Sequence, residues 1–226
     1  MSHVHAHAPH ELSEPSSEKG GERRKARVLE LYAVVLLSLA TLATAWSGYQ
    51  AAKWSSEQSQ HYALSSTLRI HAQEQATAAG QTHIADLLLV NEWIDAYTLG
   101  NKRLAAVYRH RFRAELQPVF SAWLALHPFT NHKAPPGPTF MPQYRIKQEA
   151  TARALDSRAN ELYKSGTDAK TNDDDHVLAT VFFAGVLFLA AVSLRVDWVP
   201  LQIAVLALGT VLFLGALVYV ITLPNA

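Results

Sequence analysis

The chain predicts an all-α integral membrane protein: three transmembrane helices, with an antiparallel helical extramembrane domain between the first and second spans. Three observations carry this prediction. The 226 residues contain three uncharged apolar runs, Leu31–Ala52, Val177–Leu194 and Val199–Leu223. Each approaches or exceeds the ~20 residues that a helix needs to cross a ~30 Å hydrocarbon core. Most of the charges lie between the first two runs, from Lys53 to His176, a stretch long enough for an independent domain. No window shows sustained alternation of apolar and polar residues, which argues against any sheet.

Residues 1–27 form a His-rich cytoplasmic tail, whose Ser, Glu, Pro and His content predicts disorder. The first span, 28–52, follows a basic cluster of Arg23, Arg24, Lys25 and Arg27. Within it Ala43-Thr44-Ala45 resembles a signal-peptidase site, but the apolar character continues to Ala52 and the tail is long for a signal peptide, which favours a retained anchor. From Val28 to Ala79 there is no proline and Gly48 is the single glycine, so the helix is predicted to continue out of the membrane. Leu64, Leu68, Ala72, Ala76 and Ala79 then form a narrow stripe, and Gly80 is expected to stop the helix.

A second amphipathic helix places Ile84, Leu87, Leu88, Asn91 and Ile94 on one face and ends near Gly100-Asn101. The third has the clearest periodicity, from Leu104 to Leu124 through Phe112, Leu116, Phe120 and Trp123, with a kink expected at Pro118. Its aromatic face is predicted to pack against Leu68, Ile84 and Leu88. Residues 127–142 hold five prolines and a glycine, which excludes regular helix and predicts a loop of polyproline character. Helix is predicted again from Gln143 to about Lys164, with Gly166–Asp175 as the link to the second span. The extracytoplasmic domain is thus 53–176, and the remaining spans are 177–194 and 199–223.

Orientation follows from the basic residues, which are retained on the cytoplasmic side. Four precede the first span and only Lys53 closely follows it. The second span enters after Asp173, Asp174 and Asp175 and leaves at Arg195. The N-terminus is therefore expected to be cytoplasmic, with the central domain and C-terminus outside. Tyr32, Trp46, Tyr49, Trp54 and Trp198 stand where interfacial anchors belong.

The segments LLSLATLATAWSGYQAAKWSSEQS at Leu36–Ser59, FRAELQPVFSAWLALHPFTNHKAPPGPTFMPQY at Phe112–Tyr144 and HVLATVFFAGVLFLAAVSLR from His176 carry a family resemblance. They resemble an uncharacterised family of small bacterial integral-membrane proteins, over a range from about Arg27 to the C-terminus. The resemblance implies a bacterial cell (inner) membrane location and the same three-span plan. It implies no known activity, substrate or cofactor.

Chemistry is sparse. The absence of cysteine excludes disulfides, thiolate metal sites and Cys nucleophiles, and a net charge of +1 makes nucleic acid a poor partner. His3, His5, His7 and His10 could surround a divalent ion, but their spacing is loose and they lack an ordered scaffold, so they read first as a solvated tail. Glu30 lies about one turn from Arg27 and can pair with it. Thr44, Gly48 and Ala52, spaced by four, make a small-residue face for helix packing. In the outer domain Glu92 and Asp95 share a helix face, while Arg109 and Arg113 are candidates for an anionic ligand or lipid headgroup. No nucleophile elbow, HExxH motif or phosphate-cradling loop is present, so no enzyme and no cofactor is expected. The expected function is a membrane-anchored structural or protein-interaction component of the cell envelope, contacting lipid and associating with itself or another membrane protein. Subunit of an oligomeric channel or transporter is the first alternative. A ligand sensor or enzyme using the outer domain is the second.

Overall fold

A computed structural model describes residues 16–226 along the backbone, with side chains from Arg24 onward. Every regular element among them is helical: α1 (Ser16–Thr98), α2 (Lys102–His110), α3 (Leu116–Leu124), a 3-10 turn (Pro138–Phe140), α4 (Lys147–Ser193) and α5 (Val199–Thr222). The helices α1, α4 and α5 are each long and apolar enough to cross a membrane, which makes three candidate spans. Helix α1 begins at Ser16, so it reaches back into the segment expected to be a disordered tail. The chain packs as two units, one made of residues up to Gln58 together with Thr167–Ala226, the other of Ser59–Gly166.

Two expected helix ends are absent. α1 runs through Gly80, and α4 runs through Gly166 and the whole of the expected link to Asp175. A glycine inside a helix costs only ~1 kcal/mol relative to alanine, which packing along the rest of a long helix readily offsets. The true stop is Gly100, at φ +76°, a conformation that disfavours side chains with a Cβ. There the Gly100 N–H donates to Tyr97 O at 3.0 Å and the Asn101 N–H to Ala96 O at 2.9 Å, the paired bonds of a Schellman end. The Asn101 side chain then accepts from the Leu104 N–H at 3.1 Å and caps α2.

The expected third helix is also corrected. It is two helices, separated by Arg111–Glu115, and Pro118 lies in the first turn of α3. Backbone N–H groups in a first turn have no intrahelical partner, so the proline starts a helix here rather than kinking one.

Within the 59–166 unit, the core unites Val90, Trp93 and Ala96 of α1, Ala105 of α2, Phe112, the α3 residues Leu116, Val119, Phe120 and Trp123, and Met141. The Phe120 ring meets Trp93 edge-on at 4.7 Å and Phe112 at 4.9 Å. The aromatic face is therefore the one expected, but its partners are not. Ile84 and Leu88 are 59% and 60% exposed, and Leu68 is half-buried. The buried face of α1 instead carries Ala72, Ala79, Asp86 and Trp93, spaced by seven residues, and Leu64 and Ala76 of the expected stripe are exposed. The proline-rich segment is held to this core: Trp123 Nε1 donates to Pro135 O at 2.8 Å, and Pro138 and Met141 are buried.

The other unit repeats the spacing. Ala33 and Ala40 of α1, Phe183 and Ala190 of α4, and Leu206, Phe213 and Val220 of α5 all recur at sevens in one core. The alanines among them, Ala33, Ala40 and Ala190, allow close helix approach, which favours helix association in lipid. Around this core Leu42, Val181, Phe188, Val211 and Ile221 are 60–73% exposed, apolar surface of the kind lipid covers.

Candidate functional site

The most chemically organised cluster of the 59–166 unit is centred on Asp86, whose side chain is 4% exposed. α1 places this carboxylate on its buried face, in series with Ala79 and Trp93. A buried acid needs partners, and the fold supplies two to the same oxygen. Arg113 Nε donates to Asp86 Oδ2 at 2.7 Å, and the Tyr144 hydroxyl donates to it at 2.7 Å. Arg113 also reaches Glu115 at 3.3 Å and the carbonyl of Arg145 at 3.1 Å, with its guanidinium 5.5 Å from the Tyr144 ring centre. His83 Nδ1 lies 3.3 Å from the Tyr144 hydroxyl. Because that hydroxyl spends its proton on Asp86, His83 is the donor in this contact.

Burial, followed by the bond to Asp86, pushes the Tyr144 phenol up to about 12. Burial works against the charge on Arg113, but the bond to Asp86 and the neighbouring Tyr144 outweigh it and raise its pKa. The backbone bond and the neighbouring Arg113 draw Glu115 below the usual carboxylate range, against the opposing effect of burial. An acid this weak and a cation this firmly held do not exchange protons near neutrality. The cluster is a clamp, tying α1, the α2–α3 corner and the chain entering α4 together.

Of the sequence candidates, Arg113 is thus committed to Asp86, and Arg109 is placed separately. Arg109 lies 3.4 Å from Ser121 Oγ and 5.6 Å from the Phe120 ring centre. The neighbouring Glu92 carboxylate first, then burial, raises the Tyr108 phenol pKa. Thr44 is half-buried and returns its hydroxyl to Ala40 O at 2.7 Å; Gly48 and Ala52 are exposed, and a Cβ at Gly48 would meet nothing within 4 Å. The buried α1 face beside them is Ser47, Gln50 and Ala51. His3, His5, His7 and His10 lie outside the described residues. No group of three or more potential metal ligands occurs among the described residues.

A second polar cluster, not anticipated from sequence, gathers around the last residues. Pro224 O accepts from Trp54 Nε1 at 3.2 Å and from His176 Nε2 at 3.1 Å. Gln50 donates to Asn225 Oδ1 at 3.0 Å and accepts from the Ala226 N–H at 3.3 Å. His176 and Ser47 are fully buried, and His176 Nδ1 and Ser47 Oγ have no protein partner. Elsewhere in the spans the hydroxyls of Ser38, Thr41, Thr210 and Ser193 bond back to their own helix, which removes them as free polar groups. Asp86 had one sequence signal, an acid in series at seven residues with Ala72, Ala79 and Trp93; His176 similarly follows Ala169 and precedes Phe183 by seven. No family model, no curated protein and no solved structure matches the chain.

Proposed function

We propose that the chain is a membrane-anchored structural or protein-interaction component of the bacterial cell envelope. Its N-terminus is cytoplasmic, and its antiparallel helical domain and C-terminus are extracytoplasmic. One observation carries the reading: Ile70, Ile84 and Leu88, on one side of α1, are each about 60% exposed while the core of the same unit is closed without them. A row of exposed apolar side chains along one side of a helix, outside the lipid-facing segments, supports a contact with another protein. The Asp86 clamp agrees with this, because it fixes the shape of the unit that presents the face.

The test is a photo-crosslinking residue at Ile84 in intact membranes, with His71, exposed on another side of α1, as control. A discrete protein adduct from Ile84 and none from His71 is expected; no adduct from either refutes the reading. The orientation is checked separately. In a chain without native cysteine, Ser16→Cys should resist an impermeant thiol reagent in intact cells and Asn131→Cys should react, and the reverse pattern inverts the topology.

A further inference from the structure

We infer that the partner on this face is a second copy of the chain, joined through a parallel two-stranded seam along α1 between Ala63 and Asn91. The inference rests on the interaction reading above and names its partner. The exposed face of α1 has its own seven-residue repeat, nearly opposite the buried one. Ala63, Ile70, Thr77, Ile84 and Asn91 fall at successive sevens, and all five are exposed. Ser66, Gln73, Gly80 and Leu87 form the companion series, exposed except for the half-buried Leu87. These are the first and fourth positions of a heptad, and none of the nine residues is charged. Thr77 spends its hydroxyl on Gln73 O at 2.8 Å, so it adds no unmet donor to the seam.

Three features select a like partner in parallel. β-branched Ile84 at the first position with Leu87 at the fourth favours two strands, and a single asparagine at a first position, Asn91, sets register by meeting its own copy. Charge is complementary as well. In a parallel pair, the residue before a first position faces the residue five further along on the other strand. Here these are Arg69 and Glu74, opposite in sign, and no like-charged pair occurs between Ala63 and Asn91. The Glu74 side chain is 63% exposed and contacts only His71, at 3.1 Å, among the ion pairs of the described residues. Arg69 uses one nitrogen on Asn160, at 3.1 Å, which leaves further donors for a second acid. Two copies inserted in one bilayer with the same topology present α1 in the same direction, which is the direction this charge pattern requires.

The experiment uses the full chain in lipid bilayers, with single cysteines at Ile70, Thr77 and His71 under mild oxidation. Disulfide-linked dimers should form at Ile70→Cys and Thr77→Cys, since facing first positions approach within disulfide reach, and not at His71→Cys. Thr77→Glu, an exposed change that leaves monomer stability intact, should lower the dimer fraction about ten-fold by setting two unpaired charges in the seam. Glu74→Arg should lower it about three-fold, and Arg69→Glu combined with Glu74→Arg should restore it. A chain that stays monomeric at every protein-to-lipid ratio, or that crosslinks equally at His71, overturns the seam. If the purified chain is monomeric while Ile84 in membranes yields an adduct with a different protein, the second copy is excluded and the interaction reading survives.

Discussion

Replacing Gly166 with alanine sets two measurable effects against each other. By helix propensity alone the change should stabilise α4 by ~1 kcal/mol, because glycine is the poorer helix former. The packing says the opposite. A Cβ at Gly166 would lie 2.6 Å from both Cδ1 and Cε1 of Tyr62 and 3.3 Å from Cβ of His61, the first two distances far inside van der Waals contact. The Tyr62 ring cannot simply swing aside, since it stacks on Tyr163 with centroids 5.2 Å apart. Overpacking of this kind costs ~1–3 kcal/mol, and a lost aromatic stack adds ~0.5–1.5 kcal/mol. The net expectation is destabilisation by about 2 kcal/mol, a fall in Tm of roughly 5–15 °C for a unit of this size. Thermal unfolding of the full chain in detergent, followed by tryptophan fluorescence, reads the shift. Gly80→Ala is the internal control: within one chain a Cβ there meets nothing within 4 Å, so in the Thr77→Glu background, which removes the α1 seam, propensity acts unopposed and Tm should rise. In a Tyr62→Ala background the obstructing ring is gone, and Gly166→Ala should become neutral or stabilising. If Gly166→Ala raised Tm as Gly80→Ala does, the close approach of α1 and α4 at this point would be wrong.

Phe120→Ala removes a fully buried ring from the aromatic core and should cost ~3–5 kcal/mol, whereas Phe129→Ala, 45% exposed, should cost far less; equal shifts in Tm would contradict the core assignment. Asp86→Asn leaves Arg113 without its buried counter-charge and should destabilise by ~2–4 kcal/mol, below the cost of a fully buried pair because the Arg113 side chain is 23% exposed; chemical denaturation of the folded chain measures it. Tyr144 is held protonated by burial and Asp86, with its phenol up to about 12 against an ordinary 10, so the stability it contributes is complete below pH 10 and lost as pH rises through about 12. In an ultraviolet titration of phenolate, the difference between wild type and Tyr144→Phe should isolate one tyrosine ionising near pH 12, and a difference centred near pH 10 would deny the clamp.

Where the local sequence carried a strong term, it decided the structure. The three apolar runs lie in helices long and apolar enough to span because the transfer of some twenty apolar residues outweighs anything nearby, and the five prolines of 127–142 exclude an α-helix whatever surrounds them. Phe112, Leu116, Phe120 and Trp123 are buried as their periodicity predicts, and Gly100-Asn101 ends α1 because its φ of +76° suits glycine and its asparagine caps the next helix. Where local terms were small, the tertiary structure decided. Gly80 and Gly166 each bring only about 1 kcal/mol against helix, so packing over many turns carried α1 and α4 through them. α1 also had two apolar faces of similar strength. The one through Ile84, Leu87 and Leu88 is the more apolar over two turns and was the natural choice from sequence, but the one through Asp86, Val90 and Trp93 is buried. That choice depends on Arg113 and Tyr144, 27 and 58 residues away, which satisfy the carboxylate in a way no local pattern can encode. The C-terminal residues on Gln50 and His176 follow the same logic, since hydrogen bonds across 175 and 48 residues exist only once the helices have brought their partners together.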